Sequence, residues 1–198
     1  MFLTMPSYGT GYSFKKITIV PPAKRINSDS LIYSTTAGRC IVTDFNINGT
    51  LLMSSGTGNP TRGSFAGGSQ LVHITGLIDL GGITGGTRFS QTNYMNMFQS
   101  CSKLKTVSFV PGSMKLSTTN WYLSWCAALS NESLVSIANA LLDTYSGTLT
   151  FHATPRAKLA NIIGTVTSDE TLSTFTIDEN GTMSLEDFLT TIKGATLA

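Results

Sequence analysis

The first third of the chain alternates apolar and polar residues with the period of two that predicts β-strands. Residues 16–20 alternate and end at two prolines, residues 30–33 form a second apolar run, and residues 39–47 form a longer one. Asn48 and Gly49 are typical of a two-residue hairpin turn, with the apolar residues 51–53 on its far side. We expect residues 1–64 to form a β-rich segment that either caps the rest of the chain or docks on a partner.

The centre of the chain carries a repeat that predicts a solenoid. An apolar residue is followed by cysteine three positions on and by leucine six positions on, in residues 98–104 and again in residues 123–129. Residues 65–71 form a degenerate copy with Gly68 at the cysteine position. One copy cannot bury its own apolar face, so stacked copies must bury it between them. The expected core columns are Phe65, Phe98 and Leu123, then Cys101 and Cys126, then Leu71, Leu104 and Leu129.

A second match, between residues 92–94 and residues 119–121, has a slightly longer period and predicts rungs of irregular length. The three cysteines of the chain, Cys40, Cys101 and Cys126, neither form an even set nor have the spacing of a zinc site. We expect small buried thiols. A disulfide between Cys101 and Cys126 is the alternative, because neighbouring rungs lie roughly 5 Å apart.

Beyond residue 130 the apolar spacing becomes helical. It predicts a helix through residues 134–142 with Ser130 or Asn131 as the N-cap, and then a short strand over residues 148–151. A second helix is predicted from Pro155 to Gly164. A third begins at Ser184, with Lys193 in its last turn and Gly194 after it as the C-cap. The overall fold class is α+β.

Composition narrows the function further. Charged residues make up only 12% of the 198 residues and the net charge is +2, so the concentrated basic face of a nucleic-acid-binding protein is missing. Ser, Thr, Asn and Gly replace the charges, as in many β-rich proteins that work outside the cytoplasm. The N-terminus has no signal-peptide pattern, and no apolar stretch is long enough to span a membrane.

Residues 97–107, Met-Phe-Gln-Ser-Cys-Ser-Lys-Leu-Lys-Thr-Val, resemble the repeat of BspA-type leucine-rich repeats, Met-Phe-x-x-Cys-x-x-Leu-x-x-Ile. The stretch from Cys126 to Ile137 is similar to the last repeat and terminal capping helix of that family. The ending of the chain, residues 193–198, is similar to its Lys-Gly-Trp-Thr-Leu-Ala endings, with Ala195 in place of Trp. The resemblance covers residues 65–198. It implies a short leucine-rich-repeat solenoid with a helical C-terminal cap, surface adhesion and protein contact, and no catalytic residues.

Residues able to carry chemistry are few. His73 and His152 are the only histidines, no nucleophile motif accompanies them, and we expect both at the surface. Residues 176–187 resemble a calcium loop whose ligands would be Asp178, Asn180, Ser184 and Asp187. The first position of that loop is Thr and the last lacks the usual Glu, so a turn followed by an N-capped helix is the alternative. We expect no metal or other cofactor.

Four aromatic residues near the repeat turns are candidate binding anchors, with filling of the solenoid core as the alternative interpretation: Tyr94, Trp121, Tyr122 and Trp125. The resemblance to BspA-type repeats, which also occur in phage tail or fibre proteins, implies a non-enzymatic structural or adhesion module. With the extracellular type of composition and no export signal, we expect a phage virion protein, such as a fibre, tail or capsid-attached protein. A bacterial cell-surface adhesin and a carbohydrate-binding or carbohydrate-active protein are the alternatives. Expected partners are other virion or surface proteins, a host receptor or a glycan, and a second copy of the chain, but neither nucleic acid nor a membrane.

Overall fold

A computed structural model describes residues 15–21, 23, 26–27, 41–54, 65–83, 94–95 and 97–198, with only the backbone of residues 26–27 and 94–95. The predicted apolar run at residues 30–33, Cys40 and the match at residues 92–93 lie outside this described part of the chain.

Sheet A is built from four parallel strands: β1 (Lys16–Ile19), β2 (Ile26–Asn27), β3 (Asp44–Ser54) and β4 (His73–Gly82). β1 and β2 lie along one edge of β3, and β4 lies along the other. The register places Lys16, Asp44 and His73 side by side, and a parallel bridge adds Thr106 to this row. Each turn of the chain therefore adds one rung to the same sheet.

Sheet B is also parallel and has the order β5 (Tyr94–Met95), β6 (Asn120–Leu123), β7 (Thr148–Phe151) and β11 (Thr196–Leu197). In this sheet Tyr94 lies opposite Asn120, and Met95 lies opposite Trp121. The chain that alternates between the two sheets forms a solenoid-like arrangement of about three turns.

The seven-residue repeats form turns, of which the first two lead into rungs of sheet A and the third leads from β6 of sheet B into a helix. In each turn the fourth residue donates its backbone N–H to the carbonyl of the first, at Gly68, Cys101 and Cys126. The Phe65 and Phe98 rings stack with centroids 5.7 Å apart, and the Cys101 thiol donates to the Phe65 carbonyl at 3.1 Å. All eight residues expected in the core columns are buried. Cys101 and Cys126 are not joined by a disulfide, so that alternative is wrong.

Gly68 fits the cysteine column because the turn below it is tightly packed. A Cβ atom at Gly68 would lie 3.3 Å from the Cys101 sulfur and 3.1 Å from the Phe65 carbonyl oxygen. The column therefore has room for a cysteine side chain in two turns and for none in the first.

The hairpin predicted at Asn48 and Gly49 is wrong, because β3 continues through both residues. Asn46 pairs with Thr75 and Thr50 with Leu77, so three residues of β3 bulge out opposite the single residue Gly76 of β4. Gly49 has φ +115° and Gly76 has φ +81°, and a Cβ atom at Gly76 would lie 2.2 Å from the Ile47 carbonyl oxygen. The positive φ that suits a hairpin turn serves a β-bulge here.

Helix α1 (Asn131–Ala140) is confirmed and begins at the N-cap Ser130. This helix follows the third repeat turn, whereas the first two repeat turns lead into strands of sheet A. Its Ser133 and Ser136 hydroxyls accept hydrogen bonds from the backbone N–H groups of Val107 and Phe109, at 3.0 and 2.8 Å. Side chains of a helix thus satisfy the edge of the last rung of sheet A.

The second predicted helix is wrong beyond its first turn. α2 (Ala153–Arg156) and a 3₁₀-helix (Leu159–Asn161) are followed by β8 (Ile163–Ser168), which pairs antiparallel with β9 (Ser173–Ile177) and β10 (Met183–Ser184). Gly164 is a strand residue rather than a helix stop. A Cβ atom there would lie 2.5 Å from the Phe175 ring, so the ring packs directly on the glycine backbone.

The third predicted helix begins at Ser184 as expected, with α3 (Leu185–Asp187) continuing into a π-helix (Phe188–Ile192). Gly194 follows with φ +70°. One hydrophobic core runs from Val42 to Ala195, so the described residues before position 64 are rungs of the same core as the repeats.

Candidate binding face

Sheet A and sheet B each bury one face in the shared core and turn the other outward. Along β6, Trp121 and Leu123 are buried while Asn120 is half-buried and Tyr122 is exposed. Along β7, Leu149 and Phe151 are buried. Thr148 and Thr150 therefore lie on the outer face, together with Asn120 and Tyr122 of β6.

On the outer face of sheet A the polar side chains bond to one another. The Asn46 amide donates to the Thr18 hydroxyl at 3.3 Å, and the Thr75 hydroxyl donates to the Asn46 amide oxygen at 2.8 Å. His73, half-buried, lies with Nδ1 2.9 Å from the Thr106 hydroxyl. The polar groups of neighbouring rungs thus satisfy each other across the sheet.

The outer face of sheet B carries one exposed aromatic ring and half-buried polar side chains. Tyr122 lies opposite Thr150, and the Asn120 side-chain oxygen accepts from the Thr148 backbone N–H at 2.9 Å. Trp125 follows three residues after Tyr122, in the third repeat turn. Their exposed fractions are 37% for Tyr122 and 47% for Trp125, so each ring presents a large apolar surface to solvent. We call Asn120, Tyr122, Trp125, Thr148 and Thr150 the aromatic patch.

Trp121 does not belong to this patch, which corrects its selection as a binding anchor. Its side chain is completely buried and packs edge-on against Phe109, with ring centroids 5.2 Å apart. The indole N–H has no hydrogen-bond acceptor within the described part of the chain. For Trp121 the alternative interpretation, filling of the solenoid core, is the correct one. The side chain of Tyr94 lies outside the described residues.

The candidate calcium loop is a β-turn followed by a capped helix, the alternative that the sequence also allows. The Asp178 carboxylate accepts from the Asn180 backbone N–H at 3.0 Å, which tightens the turn between β9 and β10. Ser184 caps α3 by accepting from the Asp187 N–H at 3.0 Å and donates to the Asp187 carboxylate at 2.7 Å. Within the described ranges no three His, Cys, Asp or Glu side chains are grouped to hold a metal ion.

Two further side chains that could carry chemistry, those of His152 and Cys126, have structural roles in the described part of the chain. His152 is the N-cap of α2, where its Nδ1 accepts from the Thr154 N–H at 3.2 Å. Burial raises the pKa of the Cys126 thiol to about 12, so this thiol stays protonated at neutral pH.

An ion pair that the sequence analysis did not identify closes the C-terminal end. The Lys193 ammonium is completely buried and lies 2.5 Å from the Asp143 carboxylate and 2.6 Å from the Ser173 carbonyl oxygen. Asp143 also accepts hydrogen bonds from the Ser173 N–H and hydroxyl, at 2.9 and 2.7 Å. We call Asp143, Ser173 and Lys193 the C-terminal lock, because it fixes the chain three residues before β11.

The lock changes the pKa of both ionisable partners. Partial burial favours the neutral form of Asp143, but hydrogen bonds from Lys193 and Ser173 outweigh it and lower the pKa of that carboxyl. Burial lowers the pKa of Lys193, and the contact with Asp143 opposes this effect. The Lys193 ammonium is held in the interior, whereas the Asp143 carboxylate stays partly exposed to solvent.

The described helices include none with the length and apolar character needed to cross a membrane. Comparisons of the chain with family models, with curated proteins and with solved structures find no match.

Proposed function

We propose that the protein is a non-enzymatic structural and adhesion module that contacts its partner through the aromatic patch. The observation that carries the proposal is the pair of exposed rings, Tyr122 on the outer face of sheet B and Trp125 in the repeat turn that follows β6. Aromatic side chains supply large contact areas at low entropy cost and dominate the energetics of binding surfaces.

The position of the patch also favours binding. β6 is paired on both sides, to β5 and to β7, and its inward residues Trp121 and Leu123 are fixed in the core. Tyr122 lies between these two core residues, so its backbone is held in place before a partner binds. Preorganisation of this kind reduces the ordering cost that a flexible loop meets on binding.

The setting we propose is a phage virion, with the chain as a fibre, tail or capsid-attached protein, and a bacterial cell-surface adhesin as the alternative. This setting rests on the resemblance of the repeats to BspA-type leucine-rich repeats. The turns at Gly68, Cys101 and Cys126 with their following leucines support that repeat type. On this interpretation α1 is the terminal capping helix, since its serines cover the last rung of sheet A.

Adhesion is tested with the fluorescently labelled full chain on a panel of intact gut bacteria, measured by flow cytometry. We expect saturable binding to at least one strain. The double substitution of Tyr122→Ala with Trp125→Ala should weaken that binding at least tenfold, which corresponds to about 1.4 kcal/mol. The matched control is Leu77→Ala, because Leu77 is 40% exposed on the outer face of sheet A. Equal binding by all three proteins would contradict the proposal.

The virion setting is tested separately, by mass spectrometry of purified particles of the phage that encodes the chain. Peptides of the chain at a fixed ratio to capsid protein are the expected result. Particles that lack the chain, together with its presence on a bacterial surface, would favour the adhesin alternative.

A further inference from the structure

We infer that the aromatic patch binds neutral glycans; this rests on the proposed adhesion function and names the ligand class of the same face. A sugar ring presents apolar C–H groups on its faces and hydroxyls around its rim. A complementary protein surface therefore needs exposed aromatic faces with uncharged donors and acceptors beside them. The patch offers both.

The aromatic part is formed by Tyr122 and Trp125. The electron-rich face of each ring attracts the slightly positive C–H groups of a sugar. The two positions are three apart in the chain, so their Cα atoms lie at most about 11 Å from each other, within reach of a short oligosaccharide.

The fold does not require an aromatic residue at the Trp125 position. Gly67 and Ser100 occupy the same place in the first two repeat turns, with φ +82° and +63°. In the third turn a tryptophan is exposed over 47% of its surface although small residues serve the other two turns. Trp125 therefore gives the third repeat turn a contact surface that the stacking of the solenoid does not need.

The polar part of the patch lies next to Tyr122. The Asn120 oxygen is used by the Thr148 N–H, which orients the amide so that its NH₂ group remains a donor. Among the described residues no hydrogen-bond partner is recorded for the Thr148 and Thr150 hydroxyls, which each supply a donor and acceptors. These are the groups that pair with sugar hydroxyls.

The charge of the patch favours a neutral ligand. None of its five residues is charged. Of the two cations that follow β7 in the chain, Arg156 is paired with Glu186 at 2.7 Å, and Lys158 lies 3.5 Å from the Leu129 carbonyl at the end of the third repeat turn. An acidic glycan would therefore find no side chain within the patch itself to pair with its charge.

The experiment uses the labelled full chain on an array of neutral and sialylated oligosaccharides, followed by fluorescence titration with the best neutral glycan. The chain has only two tryptophans, and Trp121 is completely buried. Quenching by acrylamide therefore reports on Trp125. We expect binding to neutral glycans that is insensitive to salt and that protects Trp125 from the quencher.

Trp125→Ser places the residue of the second turn into the third and should weaken glycan binding at least tenfold. Tyr122→Ala should have a similar effect, and Leu77→Ala should have none. Circular dichroism melts verify that the variants keep the wild-type fold, which is expected because both rings are exposed.

Two results would overturn the inference. In the first, the chain adheres to bacteria through Tyr122 and Trp125 but no neutral glycan binds, and protease treatment of the cells abolishes adhesion; the ligand is then a protein and the proposed function stands. In the second, binding is confined to sialylated glycans and disappears at high salt. If neither cells nor glycans bind, the proposed function fails as well.

Discussion

Sheet A and sheet B grow by the same parallel stacking, yet their outer faces differ in how polar groups are used. On sheet A, Thr18, Asn46 and Thr75 form a continuous ladder of side-chain hydrogen bonds across three rungs. On sheet B, Thr148 and Thr150 have hydroxyls without a recorded protein partner, beside the exposed ring of Tyr122. The hydrogen-bonded ladder of sheet A adds stability and leaves few polar groups for a ligand. The outer face of sheet B gains less stability from such bonds and leaves more polar groups for a ligand.

The two sheets also differ in how their last rungs are closed. In sheet A, the hydroxyls of Ser133 and Ser136 on a helix accept from the N–H groups of the final rung. In sheet B, the chain itself returns as β11, with the Phe151 N–H bonded to the Ala198 carbonyl at 3.0 Å. Since β11 has only two residues, its position depends on Lys193 of the C-terminal lock just before it. The lock therefore supports the last strand of sheet B and, through Ser173, also ties down β9.

The largest expected effect comes from removing the counterion of the lock. Asp143→Ala should lower the free energy of unfolding by about 3 kcal/mol, because it leaves the buried Lys193 ammonium without its charge partner. Lys193→Met should cost less, about 1 kcal/mol, since Asp143 keeps the Ser173 donors and a side chain 32% exposed to water.

Urea denaturation measures both variants, and hydrogen exchange localises the change. In Asp143→Ala the amide of Phe151 should exchange faster, while amides between β3 and β4 keep their protection. Equal costs for the two variants, or faster exchange in sheet A, would contradict the assignment of the lock to sheet B.

The same lock makes the edge of sheet B sensitive to acid. The pKa of Asp143 is lower in the folded protein than in the unfolded chain, so its stabilisation is complete above the ordinary aspartate value of about 3.9. It is lost as the pH falls through the lowered folded value. Wild-type stability should therefore decrease more steeply below about pH 4 than that of Asp143→Asn, which does not titrate there. Parallel stability profiles for the two proteins would disprove this contribution.

Local patterns predicted the turns of the solenoid because all seven residues of each repeat act together. The cysteine and leucine of a turn are buried by the next copy of the same pattern, so the columns of Cys101 over Cys126 follow from sequence. Gly49 could not be assigned in this way. A positive φ suits both a hairpin and a bulge, and the choice depends on Gly76, which lies on another strand.

The candidate site was partly visible in the sequence. Tyr122 and Trp125 belong to the predicted aromatic cluster, but Trp121 was grouped with them although alternation with the core residue Leu123 assigns it to the inner face. Lys193 gave no such signal. Its burial depends on Asp143 and on Ser173, distant positions brought together by the docking of β9 and the last helix.

An effect of intermediate size is expected at the closed edge of sheet A. Ser133→Ala removes the acceptor of the buried Val107 N–H and should cost about 2 kcal/mol. Ser136→Ala, whose partner Phe109 N–H is partly buried, should cost about 1 kcal/mol. Urea denaturation gives the two values, and exchange of the Val107 amide should accelerate only in the first variant. Accelerated exchange at Phe151 of sheet B instead would show that the two edges are not closed independently.

The smallest effect compares one threonine from each outer face. Thr75→Val removes the hydroxyl that donates to Asn46 and should cost about 1 kcal/mol. Thr150→Val removes a hydroxyl without a recorded protein partner, and valine suits a strand, so stability should change by less than about 0.5 kcal/mol. Both substitutions keep the side-chain shape, and urea midpoints at equal slope measure the difference. If the outer face of sheet A serves stability and that of sheet B serves binding, Thr150→Val weakens glycan binding while Thr75→Val leaves it unchanged. Equal losses of stability in the two variants would mean that the ladder of sheet A adds no stability of its own.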